Sequence, residues 1–255
     1  MQNQTSTSTV IKLALTAVFT PLVCVATMIF SIYIPATRGF FNIGETMIYC
    51  AAILFGPITG ALAGGIGSGL ADLFLGFYYY APATFIIKAL EGGIVGILGR
   101  KKPQFHSKRA WRAFTFFVGF VIGTLLSIIG SIYYVGQVEL YLGIPAPLTP
   151  NVIFFVAPEY WYLLGALVIF LITSAGFVLE PEFGWLAFTT ITGGATMVSG
   201  YFLYQTLLLF PLFGIEAVAI AEIPINIGQM LIGSILALPI IRILQRSLPQ
   251  LKNQD

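Results

Sequence analysis

Charge is what this sequence has least of. Only 9% of its 255 residues are Asp, Glu, Lys or Arg, against 58% hydrophobic and a mean hydropathy of +0.93. A water-soluble domain carries roughly 25% charged residues, so that class is excluded. Histidine is nearly missing as well: His106 stands alone, which leaves a histidine-based protease or a multi-histidine metal site without its parts. The two cysteines, Cys24 and Cys50, lie in apolar stretches and make neither a disulfide framework nor a CxxC pair; they read as small buried hydrophobes. No GxxxxGK[ST] run occurs, so any coupling to ATP has to come from a partner. "GGIGSGLAD" has the look of a glycine-flanked serine, but no base accompanies it. The expectation is a chain with no catalytic residue, no metal and no cofactor.

What is present are apolar runs, one after another, each of the roughly 20 residues a helix needs to cross a bilayer. The fold expected is an all-α integral membrane protein, a polytopic helical bundle forming a single membrane domain over residues 1–255. Nine of the twelve basic residues sit in two places: Arg100, Lys101, Lys102, Lys108, Arg109 and Arg112 in one acid-free loop, and Arg242, Arg246 and Lys252 after the last apolar run. The positive-inside rule makes both regions cytoplasmic. Topology thus accounts for the basic loop, and no nucleic-acid partner is expected. A polar N-terminal tail with Lys12, followed by an apolar run without a small-x-small cleavage site, reads as a retained first helix that starts inside.

From that anchor the chain is expected to cross the cell membrane about eight times, with both termini cytoplasmic. Helix one covers Lys12 to Ile34, and a short segment from Glu45 to Phe55 returns to the turn at Gly56-Pro57. Helices three and four cover Ile58 to Phe77 and Pro82 to Gly99. A fifth crossing, 113–135, leads to a Gly/Pro-rich outer loop, "GIPAPLTP", and a sixth, Tyr160 to Val178, returns to Glu180 and Glu182. The last two are placed at Trp185 to Phe210 and Ala217 to Leu244. Helix three carries small residues at four-residue spacing, Gly60, Gly64 and Ser68 beside Ala61, Gly65 and Gly69, which permits close helix approach in lipid. Tight packing inside the bundle is the favoured reading, with a docking face for another protein as the alternative.

Polar residues within such spans need a partner, a water-filled cavity or a function. Arg38, Asn42 and Glu45 lie at the outer entrance of the second segment and Asp72 near the outer end of helix three. Lys88 and Glu91 share one face of helix four. Tyr201, Tyr204 and Gln205, then Glu222, Asn226 and Gln229, lie in the outward halves of the last two helices. All fall toward one side of the membrane, so a substrate cavity opening outward is expected there. Phe40, Phe41, Tyr78, Tyr79, Tyr80 and Tyr201 accompany the set. The 78–80 tyrosines also fit an interfacial belt, while rings with amides and mixed charge suit a planar, polar heteroaromatic solute.

Blocks at both ends of the chain, "GFFNIGE" with "AAILFGPITGALAGGIGSGLADLFLGFYYYAPATFIIKALEGGIVG", and "MVSGYFLYQ" with "EIPINIGQMLIGSILALPI", resemble the substrate-binding S component of an energy-coupling factor (ECF) vitamin transporter, in the riboflavin-transporter-like branch. The resemblance covers about 39–99 and 193–240. It implies a six-helix core, here about 10–99 and 184–246, with 113–178 as an inserted transmembrane hairpin. It also implies capture of a vitamin or precursor from outside, with riboflavin the first choice and hydroxymethylpyrimidine or pyridoxine possible. The partners implied are the coupling transmembrane subunit, two ATPase subunits and the lipid bilayer. Carried over by position, Asn42, Glu45, Lys88, Glu91, Tyr201, Gln205, Asn226 and Gln229 become substrate-binding candidates. Ala14 and Ala17 become partner-docking candidates, although Val18 stands where a second alanine at four-residue spacing is expected. The alternatives are an ion-coupled secondary transporter of a small polar solute, with Glu91 or Asp72 carrying a proton, and a structural membrane scaffold.

The topology is directly testable. A reporter fused after Gly99 should read cytoplasmic, and a cysteine placed at Leu148 should label from outside; inside-only labelling at position 148 contradicts the eight-crossing arrangement.

Overall fold

The computed structural model describes residues 2–101, 107–143, 147–178 and 181–247. Lys102, His106, Glu180, Lys252 and the Glu182 side chain lie outside the described residues, as does part of the "GIPAPLTP" loop. With no water in the hydrocarbon to satisfy N–H and C=O groups, the apolar runs fold as helices: α1 (Gln2–Ile29), α2 (Glu45–Phe55), α3 (Pro57–Leu75), α4 (Ala81–Gly99), α5 (Lys108–Tyr133), α6 (Pro158–Val178), α7 (Pro181–Tyr204), the single turn α8 (Phe210–Phe213) and α9 (Ala219–Ser247). Among the described residues, seven helical stretches are long and apolar enough to cross a membrane, α7 being counted with its continuation to Phe213. The remaining expected crossing is α2, whose 11 residues reach only roughly 16 Å at 1.5 Å per residue.

So short a helix is stable there because protein surrounds it. It packs against α1, α3, α4 and α9, and Ile48, Tyr49, Ala51 and Ala52 are fully buried with Val23, Ala63, Val95, Ala237 and Ile241 around them. The reverse turn into α3 is made by Gly56, whose φ of 93° lies where a side chain would be strained, followed by Pro57 at the start of α3. The small-residue stripe of α3 is used inside the molecule. A Cβ on Gly60 would strike Ala52 and the Gly92 carbonyl, and one on Gly65 would strike the Phe85 carbonyl, so α3 and α4 meet backbone to backbone. The stripe is therefore closed to a docking protein.

Two features depart from the expected all-helical layout. Helix one stops at Ile29, not Ile34, because the chain turns into β1 (Ile32–Ile34) and β2 (Gly39–Phe41); the loop after α5 likewise forms β3 (Gly136–Leu142) and β4 (Val152–Val156). These pair antiparallel in the order β2-β1-β3-β4, with Ile32 opposite Phe41, Tyr33 opposite Tyr141 and Val138 opposite Phe154. The sheet caps one end of the bundle, and its β1–β3 pairing joins the first loop to the α5–α6 hairpin. The second departure is in the seventh span, expected to run unbroken to Phe210: it widens into a π-helical turn at Gln205–Leu209, a distortion that commonly marks functional sites.

The α5–α6 pair packs tightly on itself, with Gly123 against Gly165 and Gly130 under Trp161. Its anchors to the rest include α5 against α9, Phe114 of α5 against Phe188 of α7, the Tyr134 hydroxyl donating to the Ala221 carbonyl at 2.7 Å, and the β1–β3 pairing. Cys24 and Cys50 are buried and free, as expected.

The α3–α4 crossing generates a matched pair of variants. Gly92→Val, whose Cβ lands on the Gly60 backbone, should destabilise the folded protein by at least about 2 kcal/mol, the usual scale of overpacking. Gly93→Ala, with only an ordinary 3.7 Å contact to Ala61, should be neutral. Thermal unfolding in detergent checks both, and equal melting for the two variants contradicts this packing.

Candidate functional site

Beneath the sheet, α1, α3, α4, α7, α9 and the β1–β2 hairpin bring polar side chains together around a cavity of about 30 Å³. The anchor is Lys88. Its ammonium is ion-paired with Glu45, at the start of α2, and with Glu91 Oε2 at 2.9 Å, one turn along α4; Met197 Sδ lies 2.7 Å away. Tyr49 donates its hydroxyl to Glu91 Oε1 at 2.9 Å. Glu45 and Glu91 are fully buried and Lys88 nearly so. A charge that deep persists only when matched and hydrogen-bonded.

A second network ties the hairpin to α9. Asn42, just after β2, donates its backbone N–H (3.1 Å) and its side-chain amide to Gln229 Oε1, and its own Oδ1 accepts from Gly44 N at 2.8 Å. The backbone N–H donates only, so it fixes which end of the Gln229 amide faces Asn42. Gln229 Nε2 therefore turns to Asn226 Oδ1 at 2.7 Å, and Asn226 Nδ2 is left without a hydrogen-bond partner among the described residues.

The third network closes the side of the cavity. Gln205, on the π-helical turn, donates Nε2 to the Tyr80 hydroxyl at 2.6 Å and to Glu222 Oε2 at 3.1 Å. Tyr80 donates in turn to the Thr37 carbonyl at 2.8 Å. Burial pushes the Tyr80 hydroxyl pKa up, so it stays a neutral donor. Tyr201 donates to Thr84 Oγ1 at 3.0 Å, and Thr84 bonds Asp72. The Val218 N–H donates to the Ala36 carbonyl at 3.1 Å, holding the hairpin turn to the start of α9.

Of the sequence candidates, Asn42, Lys88, Tyr201, Asn226 and Gln229 line this cavity. Glu45 and Glu91 sit behind Lys88, not on the wall, and Gln205 braces Tyr80 and Glu222 while facing a larger neighbouring cavity of about 680 Å³ that Arg38 and Glu216 also line. Arg38 is exposed, with a left-handed φ of 56°, while Glu45 is paired with Lys88. Of the three consecutive tyrosines, Tyr78 is 66% exposed and fits the belt, whereas Tyr80 is 5% exposed and belongs to the site. The substrate-binding candidates left out wall residues Thr27, Ser68 and Thr84, and also Asp72, Tyr80 and Glu222, which the wider polar and aromatic set had already placed at the expected cavity. For Asp72 and Glu222 a signal existed: an acid within an apolar span. The hairpin covers this cavity, with Asn42 bonded to Gln229 across it.

Replacing Lys88 with Ala leaves two buried carboxylates unmatched and should cost about 3–5 kcal/mol of stability. Changing Glu45 and Glu91 to Gln in a Lys88→Met background should recover much of that. Melting curves decide it; a Lys88→Ala protein melting like the parent contradicts a structural role for the triad.

Residues 7–174 match the family described as "ECF-type riboflavin transporter, S component". A Pyrococcus woesei protein described as "Uncharacterized protein in gap 3'region" is 40% identical over 115 residues, 44% of this chain and 72% of that protein. The "Thiamine precursor transporter HmpT" of Lactococcus lactis subsp. cremoris (strain MG1363) is 34% identical over 95 residues, 37% of this chain and 57% of that protein. S components are non-catalytic, vitamin-type substrate-binding subunits that work in the membrane with an ECF transmembrane subunit and ATPases. With the family match covering well over half the chain and a polytopic helical bundle of the expected kind, this protein belongs to the ECF-type riboflavin transporter S component family.

Proposed function

We propose that the cavity under the β1–β2 hairpin is the solute site and that the solute is a flat heteroaromatic vitamin or precursor captured from outside the cell, with riboflavin the first reading. The observation that supports this best is the composition of the wall: rings of Phe40, Tyr80 and Tyr201 beside the amides of Asn42, Asn226 and Gln229. Rings stack on a planar solute while amides, offering both donors and acceptors, read its edge. The HmpT match favours a second solute, a thiamine precursor such as hydroxymethylpyrimidine; pyridoxine belongs to the same chemical class.

In this reading the hairpin is a flap. Opening it breaks the two bonds from Asn42 to Gln229 and the Ala36–Val218 bond, and the solute takes over the freed amide positions. Both termini are cytoplasmic, and the α5–α6 hairpin is an addition to a six-helix core. Release inward needs the coupling transmembrane subunit and two ATPase subunits. Ala14 and Ala17, exposed on α1 among Val10, Leu13 and Val18, form part of the docking face for that subunit. Of the two carboxylates in the proton-relay alternative, Glu91 is already held by Lys88 and Tyr49, which leaves that reading to Asp72 alone.

Titrating purified protein with riboflavin in ion-depleted buffer tests the reading, with hydroxymethylpyrimidine and pyridoxine run alongside. Asn42→Ala should weaken binding by about 1–3 kcal/mol, the cost of leaving a buried polar partner unmet, and Arg38→Ala should weaken it less. Parental affinity in Asn42→Ala contradicts the flap and makes the hairpin a simple connection.

A further inference from the structure

The cavity's charge is unbalanced. Among the described residues, four buried carboxylates, Glu45, Asp72, Glu91 and Glu222, accompany one buried ammonium, Lys88. Lys88 is already engaged by Glu45 and Glu91. Asp72 and Glu222, from α3 and α9, both line the cavity, and neither has an ion-pair partner among the described residues. Asp72 is 3% exposed and its Oδ2 is without a hydrogen-bond partner among the described residues. The same holds for Glu45 Oε2 and Gln205 Oε1. The Gln205 orientation is fixed, because its amide N–H must face the Glu222 carboxylate. Of these open acceptors Asp72 Oδ2 is the one on the cavity wall, and it is joined there by one open amide donor, Asn226 Nδ2, on a side chain 1% exposed.

We propose that Asp72 and Glu222 set the charge specificity of this site: it takes uncharged or cationic solutes rich in N–H and O–H donors, and it turns away their phosphate esters. The proposal rests on the reading of the cavity as the solute site. Open acceptors bind only donors, so a solute supplying hydroxyl or amine hydrogens satisfies Asp72 Oδ2 on the cavity wall, while a ring nitrogen or carbonyl accepts from Asn226 Nδ2. A phosphate monoester brings close to two negative charges and acceptor oxygens at neutral pH. In a desolvated cavity it meets two carboxylates that have no ion-pair partner among the described residues, and like charges at such range repel strongly. Lys88 does not offset this, since its hydrogens are committed to its own acids. A vitamin present outside as its phosphate ester therefore has to be hydrolysed by a phosphomonoesterase before capture.

The experiment compares each uncharged solute with its ester: riboflavin with riboflavin 5′-phosphate, and hydroxymethylpyrimidine and pyridoxine with their phosphates. Equilibrium titration is run on the parent, Asp72→Asn and Glu222→Gln. In the parent the ester should bind at least roughly tenfold more weakly than its parent solute. In each isosteric variant the ratio should narrow at least threefold, through tighter ester binding and weaker binding of the uncharged solute. An ester bound as well as its uncharged form, or a ratio unmoved in both variants, overturns the proposal. A ligand-free arm separates this from the vitamin reading: removing one of two unmatched buried carboxylates should raise the melting temperature of the solute-free protein at neutral pH. If no vitamin of the three binds, the proposed function falls while the melting arm still decides the charge assignment. Unchanged or lowered melting in both variants overturns it.

Discussion

An ammonium buried among helices in a bilayer persists only with its charge matched, and Lys88 is matched twice, by Glu45 from α2 and by Glu91 from its own helix. Much of the architecture serves that pairing. Glu45 reaches Lys88 because α2 is short and starts deep inside the bundle, where the favourable end of its helix dipole also meets a carboxylate. The start of α2 is deep because the chain between α1 and α2 folds inward as a hairpin. And α2 is held at that depth by glycine-mediated contact of α3 with α2 and α4. The triad fixes the floor on which the cavity is built, while the atoms of the wall remain available to something else.

The flap above the floor is held differently. Its bonds to the bundle include Asn42 to Gln229, Tyr79 to the Arg38 carbonyl, Tyr80 to the Thr37 carbonyl and Val218 to the Ala36 carbonyl, each between neutral groups. Neutral hydrogen bonds contribute on the order of 1 kcal/mol each, whereas a buried ion pair costs several to break. A permanent floor and a removable cover follow from that contrast. The α5–α6 hairpin bears on the cover too, since β3 pairs with β1, so whatever moves the flap also pulls on the strands of that hairpin.

Much of this was readable in the sequence, for a physical reason. Hydropathy dictates spans, and the cost of polar atoms in lipid singles out Asn42, Lys88, Tyr201, Asn226 and Gln229, which do line one cavity. What escaped was short-range β structure. "VELYL" has the partial alternation and "VIFFV" the β-branched and aromatic content of a strand, yet within a chain this apolar they look like more of the same. The division of roles also escaped. Glu45 and Glu91 differ from Asp72 and Glu222 only in having Lys88 as a neighbour, and that depends on how three helices face one another. The π-helical turn that aims Gln205 at Glu222 has no composition of its own, since "QTLLL" reads as ordinary helix.

The most direct test of the account is an experimental structure of the protein with its vitamin bound. The account predicts the solute beneath the β1–β2 hairpin, its ring against Tyr80 or Tyr201, its donors on Asp72 and its acceptor on Asn226, with the Lys88 triad unmoved. A solute found only in the outer cavity beside Arg38 and Glu216, with the Asn42–Gln229 bonds intact, would contradict it.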